Sequence, residues 1–271
     1  MSTVEEYQSE FIGFRSQLTS FIYRFVAAEA DAEDIVQDAY ERTFRNLASF
    51  RGEATFKTWV FRIAVNIARD ALKHKQRWGV DYQDNCRTAT YASERIQAEM
   101  AHISATSPQG RFDLTEHVDY CFTCMAKTLR IEEQLCVILK EIYQFKVDEI
   151  THITGLSEGK VKHALAGGRR SLTRIYEGRC SLIEKSGVCH QCSELNGIFN
   201  PRSRAAEEIQ KLRMAREADS AEAGRLLDLR LELIRGVDPL NADGFDLHDY
   251  MMRNLPSHGQ AAGGRDAEAG D

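Results

Sequence analysis

Phe11, Phe14, Leu18, Phe21, Ile22 and Phe25 recur at helical spacing and leave Arg15 and Arg24 outside their apolar face. The spacing predicts a core-forming helix. Asp31 then stands at an N-cap position, Glu33 and Asp34 suit the positive end of a helix, and Ile35, Ala39, Tyr40, Thr43, Phe44 and Leu47 continue the stripe. A second helix follows, acidic on its outer face. Ser49 to Thr55 interrupts the period, with Gly52 as a flexible point and Thr55 as a cap. From Phe56 to about Lys75, Trp59, Val60, Ile63, Ile67 and Ala71 point inward, and Arg62, Arg69, Lys73, Lys75 and Arg77 make the outside basic.

Residues 79–111 lose this periodicity, gather polar residues with Pro108 and Gly110, and read as a linker holding a short helix from Ser93 to Ile103. A second helical unit begins at Asp113. Leu114, Val118, Cys121, Phe122, Met125 and Leu129 share one face, and Leu135, Ile138, Leu139 and Ile142 form the next, which suggests an antiparallel pair. Lys146 to His152, a break at Thr154-Gly155-Leu156, and a Ser157-capped helix with Val161, Leu165, Leu172 and Ile175 inward follow the helix-turn-helix pattern. Ile150 and Val161 are placed to pack those two helices together. A Cys-bearing segment comes next. Asn200-Pro201 reads as a cap and first-turn pair, opening a charged helical stretch to about Arg235 with a break at Gly224. The end, rich in Gly, Ala and charge, reads as disordered.

The expected organisation is therefore 1–78 and 113–178 as two small helical domains joined by a linker, 79–112. A Cys-bearing segment, 179–200, a helical extension, 201–256, and a disordered tail, 257–271, complete it. A chain of 271 residues is long enough for two cores, and 43% hydrophobic content with only 4 Pro favours an all-α fold. No run approaches the roughly 18 apolar residues of a membrane span, and the opening MSTVEEYQSE is unlike a secretory signal, so a cytoplasmic protein without membrane contact is expected. The net charge of -6 argues against a non-specific nucleic-acid binder. Much of that excess lies late, because Arg202 onward carries 14 acidic against 10 basic residues. Nothing resembles a catalytic centre: no nucleophile-His-acid cluster and no phosphate-binding Gly loop occurs, so an enzyme is not expected.

Asp31-Ala-Glu-Asp-Ile-Val-Gln-Asp38, followed by Phe50-Arg51-Gly52-Glu53-Ala54-Thr55-Phe56-Lys57-Thr58-Trp59-Val60-Phe61-Arg62-Ile63-Ala64-Val65-Asn66, closely resembles the second conserved region of extracytoplasmic-function sigma factors. Leu156 to Lys162 falls where that family's fourth region carries its helix-turn-helix. The resemblance spans about 11–75 and 116–176. It implies a transcription initiation factor whose partners are core RNA polymerase and promoter DNA, with an anti-sigma factor as a further candidate. Glu33, Asp34, Gln37, Asp38 and Glu41 would meet the polymerase clamp. Phe50, Arg51, Phe56, Trp59, Arg62, Asn66, Arg69 and Lys73 would hold the single-stranded minus-ten element, where aromatic rings and a basic groove suit unstacked bases.

In the helix-turn-helix, Ser157, Glu158, Lys160, Lys162 and His163 are the expected base readers, and Arg169, Arg170 and Arg174 fit phosphate contacts. Ala166-Gly167-Gly168 departs from the family, which usually places a polar, Arg-containing run there. The alternative reading is a polymerase-independent helix-turn-helix regulator, sensing metal or redox state.

Seven Cys in a long chain with no secretory signal argue against disulfide stapling. Cys121-x-x-Cys124 and Cys189-x-x-Cys192 supply the four soft ligands of a tetrahedral zinc, structural or sensing, that would pin the extension to the second domain. Cys180, Cys189, His190 and Cys192 form a second candidate set, and a redox pair or plain burial is the other reading. The tail's Leu226, Leu227, Leu229, Leu233 and Ile234 form an apolar stripe suited to folding back on either domain and restraining it.

Overall fold

Thr3 begins the first helix, α1 (Val4–Val26), through a capping box with Glu6, and Ala27 ends it in the left-handed conformation at φ 60°. That tight corner starts α2 (Glu29–Arg45) with Ala28 at the cap position, three residues ahead of the expected Asp31. Asp31 sits in the first turn and pairs with Lys75 at 2.9 Å. After a 3-10 turn (Leu47–Ser49), Thr55 Oγ1 accepts from the Thr58 amide and opens α3 (Phe56–Leu72). These three helices pack together around Phe11, Leu18, Phe21, Val60, Phe61 and Ala64. The computed structural model describes residues 3–73, 75, 77–200 and 202–254, and among them only one isolated bridge, Cys180 to Cys189, is not helix, turn or loop. The fold is all-α. The expected disordered tail, 257–271, and Pro201 of the expected cap pair lie outside the described residues.

The expected linker is built structure. It folds as α4 (Tyr82–Tyr91) and α5 (Glu94–Thr106), the latter capped by Ser93. Tyr82, Gln83 and Cys86 of α4 are buried, so tertiary packing gives this stretch the order that its weak periodicity does not announce.

Asp113 caps α6 (Leu114–Ala126), accepting from the amides of Thr115 and Glu116. The next helix, α7 (Ile131–Val137), continues into a π-helical turn (Ile138–Ile142). The expected antiparallel pairing of these two is replaced: α7 packs chiefly along α9 (Glu158–Arg179), and α6 packs on α10 (Gln191–Phe199) and α13 (Ala223–Ile234). Between α7 and α9, α8 (Val147–Thr154) ends at Gly155, whose φ of 72° makes the turn.

The extension is not an appendage. It adds α11 (Arg202–Lys211), α12 (Arg213–Arg216), α13 and α14 (Phe245–Arg253), and the Cys-bearing segment before it adds α10. Its helical break falls at 217–222, and Gly224, expected at the break, lies in the first turn of α13. Leu226, Leu227, Leu231 and Ile234 of α13 are buried in the common core, each removing apolar surface worth about 1.5–3 kcal/mol.

The two modules are joined where α1 ends. Arg24, placed outside the apolar face by its spacing, is 1% exposed. Its Nε donates to Asp119 of α6 at 3.0 Å, Nη1 to the Tyr143 hydroxyl at 2.7 Å and Nη2 to the Val237 carbonyl at 2.6 Å. Burial raises the Asp119 carboxyl pKa, and the adjacent Arg24 charge opposes that rise. The last carbonyls of α1, which have no partner within their own helix, also receive donors from the second module. Lys127 Nζ reaches Phe25 O at 3.3 Å and Val26 O at 2.9 Å, and Gln134 Nε2 reaches Phe25 O at 3.2 Å. Burial pushes the Lys127 ammonium down to about 7. The π turn brings Tyr143 to Arg24 and sets Phe145 on Phe61 of α3, ring centres 5.0 Å apart.

On the other side, His117 of α6 and His248 of α14 are buried with ring nitrogens 3.2 Å apart, both stacked with Tyr120.

Asp119→Ala leaves Arg24 buried without its carboxylate and is expected to cost about 3–5 kcal/mol in chemical denaturation. A loss below about 1 kcal/mol would mean that the pair does not hold the modules.

Burial pushes His248 down to about 4 and holds His117 below its ordinary value. Because both folded values lie below the unfolded value of about 6.5, the unfolded chain binds more protons as acidity rises. The stability that this histidine pair contributes is then full above about pH 6.5 and lost progressively below it. Denaturation midpoints at pH 7.5 and 5.5 should show the drop, with a smaller drop in His248→Gln; identical midpoints for the natural chain would refute it.

Candidate nucleic-acid interface

On α2, burial of Ala32, Ile35, Val36 and Ala39 turns Glu33, Asp34, Gln37, Asp38 and Glu41 outward, and all five are exposed. Gln37 Nε2 donates to Glu41 at 3.3 Å, and Asp38 and Glu41 make only exposed pairs with Arg42 and Arg45. Such pairs cost little to break. The face is therefore an acidic surface ready for a basic partner.

The loop after α2 folds back so that Phe50 lies on Trp59, ring centres 5.2 Å apart, both half-buried. Gly52 at φ 72° makes this return. A cavity of about 130 Å³ opens beside them, lined among others by Phe50, Arg51, Thr58, Trp59, Arg62 and His152. Arg51, Arg62, Asn66 and Lys73 are exposed along the same side of the module. Two of the expected strand contacts are placed differently. Phe56 is 3% exposed, with Tyr7, Phe14, Phe44 and Trp59 around it, and is a core ring. Arg69 donates to Thr154 O at 2.7 Å, capping the negative end of α8.

The helix-turn-helix forms from α8 and α9, with Ile150 and Val161 buried between them. Ser157 Oγ accepts from the Lys160 amide at 3.4 Å, and Glu158 pairs with Lys162 at 2.6 Å. Ser157, Glu158, Lys160, Lys162, His163, Arg170 and Arg174 are all exposed. Arg169 is not free for phosphate: it bonds Glu141 at 2.9 Å and Asp228 of α13 at 2.5 Å. The two glycines that depart from the family pattern have a packing reason. A Cβ on Gly168 would stand 2.7 Å from Val137 Cγ2, and one on Gly167 2.5 Å from Glu133 Oε1, so α9 approaches α7 as closely as backbone allows.

The candidate surfaces of the two modules meet. α8 lies along α3, and a wide cleft between Arg62 and the turn of the helix-turn-helix is lined by Thr151, His152, Leu156, Ser157 and Glu158. His152 borders both this cleft and the cavity beside Trp59. The roles of Arg24, Lys127 and Arg230 escaped the sequence reading because each depends on partners from distant elements; in Arg24 the only local signal was a charge at the edge of an apolar stripe.

The cysteines do not assemble as the expected ligand set of Cys121, Cys124, Cys189 and Cys192. Among the described residues no three His, Cys, Asp or Glu side chains are grouped to hold a metal ion. The guanidinium of Arg230 stands among the thiols instead, 3.2 Å from Cys180 Sγ and 3.9 Å from Cys121 Sγ. Gln83 Oε1 lies 3.7 Å from Cys121 Sγ and 3.9 Å from Cys189 Sγ. Burial raises the pKa of Cys121, Cys124 and Cys192, with neighbouring cysteines adding to the rise. Cys136 is buried in the core, as its apolar neighbours predict. No helix among the described residues is long and apolar enough to cross a membrane.

The family model of sigma-70 region 2 matches residues 13–78, which takes in most of α1, the acidic face of α2, the loop and α3. The extracytoplasmic-function RNA polymerase sigma factor SigW of Bacillus subtilis is 25% identical over 163 residues, 59% of this chain and 83% of the relative. The RNA polymerase sigma-H factor of Pseudomonas aeruginosa is 23% identical over 164 residues, 60% of this chain and 82% of the relative. Among solved structures, the sigma factor RpoE of Bartonella quintana, in complex with the anti-sigma factor NepR, aligns at TM-score 0.41 and 17% identity, covering 64% of this chain and 97% of that one. Residues 13–78 thus match the sigma-70 region 2 family model, and about 60% of the chain is similar to extracytoplasmic-function RNA polymerase sigma factors.

Proposed function

We propose that the chain is a sigma factor that binds core RNA polymerase and directs promoter-specific transcription initiation, with its C-terminal extension regulating that activity. One observation carries the reading: the region 2 match spans a module whose acidic face and aromatic-basic loop are both turned outward. An independent helix-turn-helix regulator has no use for either feature. In this reading Glu33, Asp34, Gln37, Asp38 and Glu41 meet the polymerase. Arg51, Arg62, Asn66 and Lys73 take the displaced strand, and the cavity beside Phe50 and Trp59 receives an unstacked base. Lys160, Lys162 and His163 read the major groove of upstream DNA, and Arg170 holds phosphate.

The regulatory part rests on the contact between modules. With α8 on α3 and Arg69 tied to Thr154, the helix-turn-helix stands beside the strand-binding residues, and Arg62 shares one cleft with its turn. Two promoter segments lying more than one turn of duplex apart, about 34 Å, require the modules to separate. The extension opposes separation by supplying Val237 O to Arg24, Asp228 to Arg169 and Arg235 to Glu141. It thereby takes the part that a separate anti-sigma partner would otherwise play. No step in this function needs a catalytic group.

Purified protein mixed with core polymerase should form a stable complex and support promoter-dependent transcripts. Glu33→Lys with Asp38→Lys should weaken the complex by roughly tenfold or more, the effect of about 1.4 kcal/mol, while leaving the fold intact. Failure of the natural chain to associate with core polymerase would end the reading.

A further inference from the structure

Arg230 of α13 is completely buried, and among the described residues no carboxylate pairs with it. Its guanidinium lies 4.0 Å from the centre of the Tyr176 ring, its Nη2 donates to Cys180 Sγ at 3.2 Å, and its Nε has no partner. A guanidinium does not give up its proton, so a buried one demands a counter-charge nearby. The thiol at 3.2 Å is the closest group able to supply it.

Cys180 has a second neighbour. It stands opposite Cys189 in the isolated parallel bridge, held by Ser181 N to Cys189 O at 3.1 Å and Cys189 N to Arg179 O at 2.8 Å. Paired backbones of this kind run about 4.8 Å apart, inside the roughly 4.4–6.8 Å between Cα atoms that a disulfide spans. Both thiols are free, and Cys189 is partly exposed where the pair meets solvent. Burial pushes the Cys189 thiol up to about 11, which leaves it protonated beside a partner that faces a fixed positive charge.

We propose that Cys180 and Cys189 form a peroxide-responsive thiol pair in which Cys180, facing the Arg230 guanidinium, is the attacking sulfur, and that closing the disulfide releases α13. The inference rests on the regulatory reading above for its consequence, but not for its chemistry. The Cys180 thiolate attacks hydrogen peroxide: an S–O bond forms, the O–O bond breaks, and hydroxide leaves and takes a proton to become water. The resulting sulfenic acid is attacked by Cys189 sulfur, so that an S–S bond forms, the S–O bond breaks and the Cys189 proton departs with the hydroxyl as a second water. The two sulfurs lose two electrons, which reduce the peroxide. Arg230 then stays buried with no anion. α13, which carries it between α6 and α9, loses the charge balance that seats it, and with α13 go the Asp228 and Arg235 contacts to the helix-turn-helix side.

The test uses the full reduced chain and hydrogen peroxide, with linked peptides mapped by mass spectrometry under non-reducing conditions. Expected is a Cys180–Cys189 crosslink. Cys189→Ser should stop at a sulfenic acid on Cys180 that dimedone traps, and Cys180→Ser should give neither product. Arg230→Met should slow the reaction by about tenfold or more, since the charge that favours the thiolate is gone. If that variant misfolds, Arg230→Lys, which keeps the charge, should react at nearly the natural rate. Thiols that stay reduced, closure of a different pair, a rate unchanged by Arg230→Met in a folded protein, or a stoichiometric metal that shields the thiols would each overturn the proposal. Polymerase association, measured separately on the reduced protein, tests the functional reading alone.

Discussion

The first helix ends inside the second helical unit, and its last turn has no way to satisfy its own carbonyls there. Lys127 and Gln134 reach those carbonyls from the far module, and Arg24, in the same turn, sends its guanidinium to Asp119, Tyr143 and Val237. The three acceptors of Arg24 come from α6, the end of the π turn and the loop after α13, so one buried side chain ties the N-terminal module, the helix-turn-helix module and the extension. Leaving any one of those acceptors unmatched would strand a charge or a carbonyl away from water. The packing of α8 on α3, the tether of Arg69 and the seat of α13 all follow from that junction.

This junction gives the extension its meaning. A charged segment with a leucine stripe looks like an appendage, yet α13 contributes Leu226, Leu227, Leu231 and Ile234 to the common core and covers Arg169, a residue suited to DNA phosphate. The surfaces fitted to polymerase and to DNA are affected unequally. The acidic face of α2 is open in the paired arrangement, whereas the side of α3 proposed to take the strand has the helix-turn-helix beside it at Arg62. Such an arrangement allows core polymerase to be approached first and DNA engaged after the modules separate.

Local periodicity made the helices of both modules legible, because an amphipathic stripe such as that of α3 needs only its own residues to be recognised. Thr55 and Ser157 cap the helices they were expected to cap, Asp113 caps the helix expected to begin near it, and the outward set on α2 follows directly from the inward one. Asp31 was misjudged as a cap because the left-handed corner at Ala27 is invisible in a stretch of ordinary helix formers. The order of α4 was missed for a different reason: Tyr82, Gln83 and Cys86 acquire their burial only from distant elements. Arg24 and Asp119 are 95 residues apart, and no spacing rule links them. The Cys-x-x-Cys spacing gave no sign of Arg230, more than 30 residues downstream of the last of these cysteines, which stands at Cys180 and Cys121.

The central claim is that the two modules are held together in the free protein and part on joining the polymerase. Spectroscopic labels introduced at Ile12 of α1 and Glu177 of α9, both exposed and away from the proposed contacts, allow their separation to be followed by pulsed dipolar measurement. One narrow distance is expected in the free chain, giving way to a distinct longer one when core polymerase is added. A single distance distribution, the same before and after the polymerase binds, would contradict it.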